Sequence, residues 1–203
     1  MAIFWRLYRF DFEEYLELRP ALSRADTREA LANLADSEEL DSVISALFND
    51  EIELSEARQA IVLARCCRGE PILFSKKFLR LVTKLSRNPD LEEGAERIGE
   101  ALAGGKNLEP WLEPSSELLS LLTPAEIKRL DVEMPLLLEA CGATRRYKRG
   151  LRLRGILPAA GSFFSRLFDR EPSAEEMLSL FGEMAEYASS RGEGIVVVAT
   201  TSG

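Results

Sequence analysis

Histidine is missing from all 203 positions. Its absence removes Ser-His-Asp and Cys-His nucleophile systems, histidine-containing zinc sites and every imidazole proton shuttle. Cysteine is scarce: there are three, and two of them, Cys66 and Cys67, are neighbours. That set cannot make the spaced, even framework of a secreted disulfide scaffold, and adjacent thiols do not match a Cys-x-x-Cys redox motif. Small apolar core residues in a reducing compartment are the expectation for them. Long apolar runs are lacking as well. No stretch approaches the roughly 20 residues needed to span a bilayer, and the opening "MAIFWRLYRFDFEEY" reaches Asp11 before a signal-peptide apolar region develops. A soluble, cytoplasmic protein with no membrane contact is expected.

Low-complexity tracts, internal repeats and long Gly/Ser linkers are also missing, so residues 1–203 are read as a single domain, with one candidate hinge near 105–116 around "NLEPWLEPSSE". A hydrophobic content of 46% supplies enough material for a core.

What is present in excess is negative charge, and it is unevenly placed. The net formal charge is -8, yet Ala140 to Phe168 holds seven basic residues and no acid, so the rest of the chain carries 34 acids against 19 bases. The stretch "TRRYKRGLRLRG" from Thr144 concentrates Arg145, Arg146, Lys148, Arg149, Arg152 and Arg154. An acidic whole argues against a general nucleic-acid binder, whereas a local cluster of guanidinium forks suits carboxylates or phosphates. A second basic series, Lys76, Arg80, Lys84 and Arg87, falls on one side of an amphipathic pattern whose other side is Phe74, Phe78, Leu81, Val82 and Leu85. The plainer alternatives are neutralisation by the chain's own acids and, for the strand-like segment, protection of a sheet edge.

The ends read as strands. "AIFWRLYRF" from Ala2 is rich in aromatic and branched residues, and "GIVVVATT" from Gly194 is a continuous apolar run suited to a central strand. "LRLRG" from Leu151 alternates as a third strand would. Most of the remainder reads helical. Candidate helix starts lie at Asp26 with Glu29, Asp36 with Glu39, Ser55, Thr123 with Pro124 and Glu126, and Ser173 with Glu176. A helix is predicted from Ser55 to a stop at Gly69, another from Phe74 to before Pro89, and further ones over Leu91–Ala103, Glu117–Leu122, Ala125–Leu130, Ala159–Phe168 and Ala174–Ser190. The fold class expected is α+β: mainly helical, around a small sheet containing the N- and C-terminal strands.

Three pieces, "MAIFWRLYRFDFEEYLEL", "LLTPAEIKRL" and "LFGEMAEYASSRGEGIVVVA", resemble the small uncharacterised bacterial proteins of the YfbM-like family; together they cover about a quarter of the chain. The resemblance implies a fold and carries no catalytic motif.

Catalytic constellations do not stand out. The acid pairs Glu13/Glu14, Glu38/Glu39 and Glu92/Glu93 sit where helix first turns favour negative charge. The glycines before Lys106 fail as a phosphate loop, because Asn107 stands where a Ser or Thr is required. No catalytic residue, metal or cofactor is therefore assigned. The reading is a binding or regulatory module whose basic segment engages an acidic protein partner. Nucleic acid or a phosphorylated small ligand on the same segment is the alternative, and a histidine-independent enzyme the third reading. Oligomeric state is not readable.

Overall fold

A computed structural model describes residues 2–35, 38–103, 118–142 and 172–202. Four strands form one antiparallel sheet: β1 (Ala2–Phe10), β2 (Cys67–Ser75), β3 (Leu118–Leu122) and β4 (Gly194–Ser202), in the order β2-β1-β4-β3. Both terminal segments are strands, and they pair with each other along their whole length, from Ala2 opposite Ser202 to Phe10 opposite Gly194. They occupy the two central positions. The expected α+β class, with the N- and C-terminal strands in one small sheet within a mainly helical chain, is what the structure shows.

The period of two in a strand sends neighbouring side chains to opposite faces. In β4, Ile195, Val197 and Ala199 join one core while Val196 and Val198 join the other. This explains why "GIVVVA" is apolar without alternation: it is covered on both sides. On the first face, Trp5, Leu7, Phe74 and Val197 meet Phe78 and Val82 of α5 (Lys76–Leu85), Ile98 of α6 (Glu92–Leu102), Ile127, Leu130 and Met134 of α7 (Pro124–Ala140), and Phe181 of α8 (Ala174–Arg191). Across the sheet, Phe10, Val196, Val198 and Leu121 meet Tyr15, Leu18 and Leu22 of α1 (Phe12–Arg24), Leu31 of α2 (Arg28–Ala32), Leu47 of α3 (Asp41–Phe48), and Ile61 and Val62 of α4 (Leu54–Cys66).

Two of the expected helix starts form complete capping boxes. Thr123 Oγ1 accepts from Glu126 N while Thr123 N donates to the Glu126 carboxylate, and Ser173 and Glu176 repeat the exchange. Two others are corrected. Thr27 rather than Asp26 caps α2, accepting from Ala30 N, and α4 starts from Glu53, whose amide donates to Glu56, two residues before Ser55. Asp36, the remaining candidate, lies outside the described residues.

Two further expectations are overturned. The helix predicted to stop at Gly69 ends at Cys66, and Cys67 to Ser75 is strand β2; α5 then begins at Lys76, after Phe74. Phe74 and Phe78 stand four apart and mimic helical spacing, but Pro71 has no amide to give and Gly69 has φ 74°, so neither belongs in a helix interior. These residues form a bulge: Leu7 pairs with Ile72 and Arg9 with Arg68, leaving three β2 residues opposite one of β1. The second correction is Leu118–Leu122, predicted helical and found as a strand. Leucine is a good helix former, but the edge of β4 offers unpaired backbone groups, and tertiary pairing outweighs a weak local preference. Gly194 opens β4 where a Cβ would lie 2.6 Å from the Leu122 carbonyl oxygen, so the close approach of β3 requires glycine. The predicted strand at Leu151, the helix over Ala159–Phe168 and the hinge near 105–116 lie outside the described residues.

Candidate anion-binding surface

Lys76, Arg80 and Lys84 of the second basic series are on α5, and Arg87 follows two residues past its end. Ser75 caps the helix, its Oγ accepting from Lys77 N at 3.4 Å, and Phe78, Val82 and Leu85 turn inward. Phe78 stacks at 4.4 Å from Phe74 and 6.0 Å from Phe181, which fixes the rotation of α5 about its axis. With the apolar side anchored, Lys76, Arg80, Lys84 and Arg87 are all exposed on the outside. Lys76 to Lys84 make a stripe about 12 Å long at 1.5 Å per residue, and Arg87 stands just beyond its end. No Asp or Glu occurs between Ser75 and Pro89 to interrupt it.

Charge pairing elsewhere sets this stripe apart. Arg9 pairs with Glu193 at 3.1 Å and lies over the Tyr187 ring, Arg65 pairs with Glu14 at 2.5 Å, and Arg68 pairs with Asp11 at 3.0 Å. Arg28 is bound to Asp50. Arg97, only 11% exposed, holds Glu93 at 2.7 Å and Glu133 at 3.2 Å, tying α6 to α7. Among the described residues, none of Lys76, Arg80, Lys84 and Arg87 takes part in an ion pair. Arg6, Arg24, Lys128 and Arg129 are also exposed outside such pairs, but they stand singly or in twos.

The start of α5 adds to the imbalance. Each of the other seven α-helices described carries an acid in its first turn, as the partial positive charge of a helix start favours; α5 carries Lys76 and Lys77 there instead. The exposed Lys76 thus adds positive charge at the end of the helix dipole that favours an acid.

No family model matches the chain, and no curated protein or solved structure does either.

The first basic series, Arg145, Arg146, Lys148, Arg149, Arg152 and Arg154, lies outside the described residues. The described chain leaves α7 at Cys141 and Gly142, and the Cys141 thiol is pushed up in pKa by burial and by Glu175 while Lys84 acts in the opposite sense.

Among the described side chains, the acid pairs lie at helix starts or in an ion pair. Glu13, Glu92 and Glu93 are exposed at helix starts, Glu14 is occupied by Arg65, and Glu38 is exposed. Cys66 is fully buried, and burial followed by the nearby Glu14 pushes its pKa up to about 12; Cys67 reaches about 12 through burial and its neighbour Cys66. Thiols so shifted are poor nucleophiles at neutral pH. Among the described residues no cluster of three or more Cys, Asp or Glu is placed to hold a metal ion, and no helix is long and apolar enough to cross a membrane.

Proposed function

We propose that this chain is a cytoplasmic protein-binding module that docks an acidic partner through the basic outer side of α5, with the basic series Arg145, Arg146, Lys148, Arg149, Arg152 and Arg154 as a second set of cations for the same partner. The observation that carries this reading is the exposed series Lys76, Arg80, Lys84 and Arg87, unpaired among the described residues, where the half-buried Arg9, Arg65, Arg68 and Arg97 are matched with carboxylates. A helix stripe presents cations in a row that a carboxylate-rich segment can follow, and an acidic body repels acidic molecules approaching elsewhere, so docking is steered to this side.

The test uses a fluorescent 20-residue oligo-glutamate peptide and, beside it, a single-stranded oligonucleotide of similar charge. Anisotropy titrations at low salt are expected to show binding of the peptide that weakens as salt rises. Changing Lys76, Arg80, Lys84 and Arg87 together to Ser is expected to weaken it by about tenfold or more, since each exposed pair contributes up to about 1 kcal/mol. Peptide binding undiminished in that variant would remove the proposal. A clear preference for the oligonucleotide, with a steep salt slope that shrinks as each cation is removed, would replace it with nucleic-acid recognition.

A further inference from the structure

The outer side of α7 is apolar at its middle and charged with opposite signs at its ends. Val132 is 76% exposed and Leu136 is 55% exposed, although the same helix buries Ile127, Leu130, Met134, Leu137 and Leu138 against its own core. Pro135 and Ala140 are exposed beside them. Arg129 lies one turn before Val132 and Glu139 one turn after Leu136; both are exposed, and neither is in an ion pair among the described residues. Val132, Leu136, Arg129 and Glu139 share one side of the helix, since positions three, four and seven apart fall close together around a 3.6-residue turn.

These four residues are self-complementary. If a second α7 is laid antiparallel on the first about a two-fold axis midway between Val132 and Leu136, Val132 of each copy meets Leu136 of the other. The same operation places Arg129 of each copy opposite Glu139 of the other. A parallel arrangement would instead put Arg129 against Arg129 and Glu139 against Glu139. We infer that α7 is the interface of a two-fold symmetric homodimer of this chain, closed by Val132 and Leu136 at its centre and by two reciprocal Arg129–Glu139 pairs at its ends. An interface on a two-fold axis must use the same patch on both copies, and a ridge whose sequence is complementary to its own reverse meets that requirement. A single helix face is smaller than a standard interface, so the dimer is expected to be weak. This inference is independent of the α5 stripe, which lies on another helix.

Sedimentation equilibrium on the full chain tests it. The wild-type protein is expected to dimerise within the range up to about 500 μM. Arg129→Glu alone confronts Glu with Glu, and Glu139→Arg alone confronts Arg with Arg, so each variant is expected to weaken association by about tenfold or more. Mixing the two single variants restores both opposite-sign pairs and is expected to recover dimer at wild-type strength, as is the double variant Arg129→Glu/Glu139→Arg. Recovery on mixing also shows that the single variants are folded. Changing Val132 and Leu136 to Ser is expected to leave a monomer with an unchanged circular dichroism spectrum. A wild-type chain that stays monomeric at the highest concentration overturns the inference and leaves the ridge to a different protein. A dimer indifferent to the single reversals, or one that the mixture fails to recover, overturns it as well.

Discussion

At the scale of single residues the chain separates groups that are satisfied from groups that are displayed. Trp5 Nε1 donates to the Leu102 carbonyl at 2.7 Å, so a buried indole finds the last residue of α6 as its acceptor. The adjacent thiols are satisfied in another way, by staying neutral. For an acid whose folded pKa is raised, the folded state holds its proton longer than the unfolded chain does. Stability from Cys66 and Cys67 is therefore complete below their ordinary value near 9.0 and is lost as pH climbs through about 12. Two outcomes are expected. At pH 8 a disulfide reagent is expected to modify Cys66 and Cys67 in the native protein on the order of a hundredfold more slowly than in urea, because little thiolate is present. Urea midpoints measured from pH 9 to pH 11 are expected to fall less steeply in Cys66→Ala than in the wild type. Equal slopes would show that the Cys66 thiol does not titrate as its burial requires. The apolar character of these cysteines was legible from their number and spacing; their placement at the junction of α4 and β2 was not, since it depends on Arg9 and Phe10 pairing with Arg68 and Cys67.

At the scale of elements, α5 is the one described helix in which local electrostatics and sequence disagree. Lys76 occupies a first turn where Glu would interact favourably with the helix dipole. Lys76→Glu is expected to raise stability by about 0.3–1 kcal/mol in urea denaturation while weakening the oligo-glutamate peptide. A loss of stability would mean that Lys76 has a structural partner and that the stripe is not free for docking. The hydrophobic periodicity of α5 was readable in advance because Phe78, Val82 and Leu85 recur at helical spacing. The same periodicity misled at Phe74, which shares the spacing but belongs to β2. Leu118–Leu122 failed for a related reason: five residues cannot display a period, and the neighbouring strand decided their conformation. Boundaries with chemistry of their own, such as the Thr123 and Ser173 boxes, were legible because the cap and its return bond are both local.

At the scale of the molecule, β1 and β4 belong to both hydrophobic cores, and this predicts how the protein unfolds. Val196 and Val197 are adjacent, yet they serve opposite sides of the sheet. Ile61→Ala, in the core formed with α1 to α4, is expected to cost about 2–5 kcal/mol. In a Trp111→Phe background, Trp5 reports from the opposite core, and its fluorescence is expected to lose its signal at the same shifted midpoint as far-ultraviolet circular dichroism. Separate midpoints would mean that the two layers unfold independently. What the amino-acid sequence determined by itself is whatever depends on near neighbours: the excluded histidine chemistry, the capping boxes, the strand character of both ends and the amphipathic split of α5. What only tertiary structure decided is whatever depends on contacts distant along the chain. That includes the pairing of Ala2–Phe10 with Gly194–Ser202, the strand at Leu118–Leu122, the matching of Arg9, Arg65, Arg68 and Arg97 with carboxylates, and the exposure of Val132 and Leu136. The physical reason is that propensity and capping act over one helical turn, whereas burial, strand pairing and charge neutralisation depend on which segments the fold brings together.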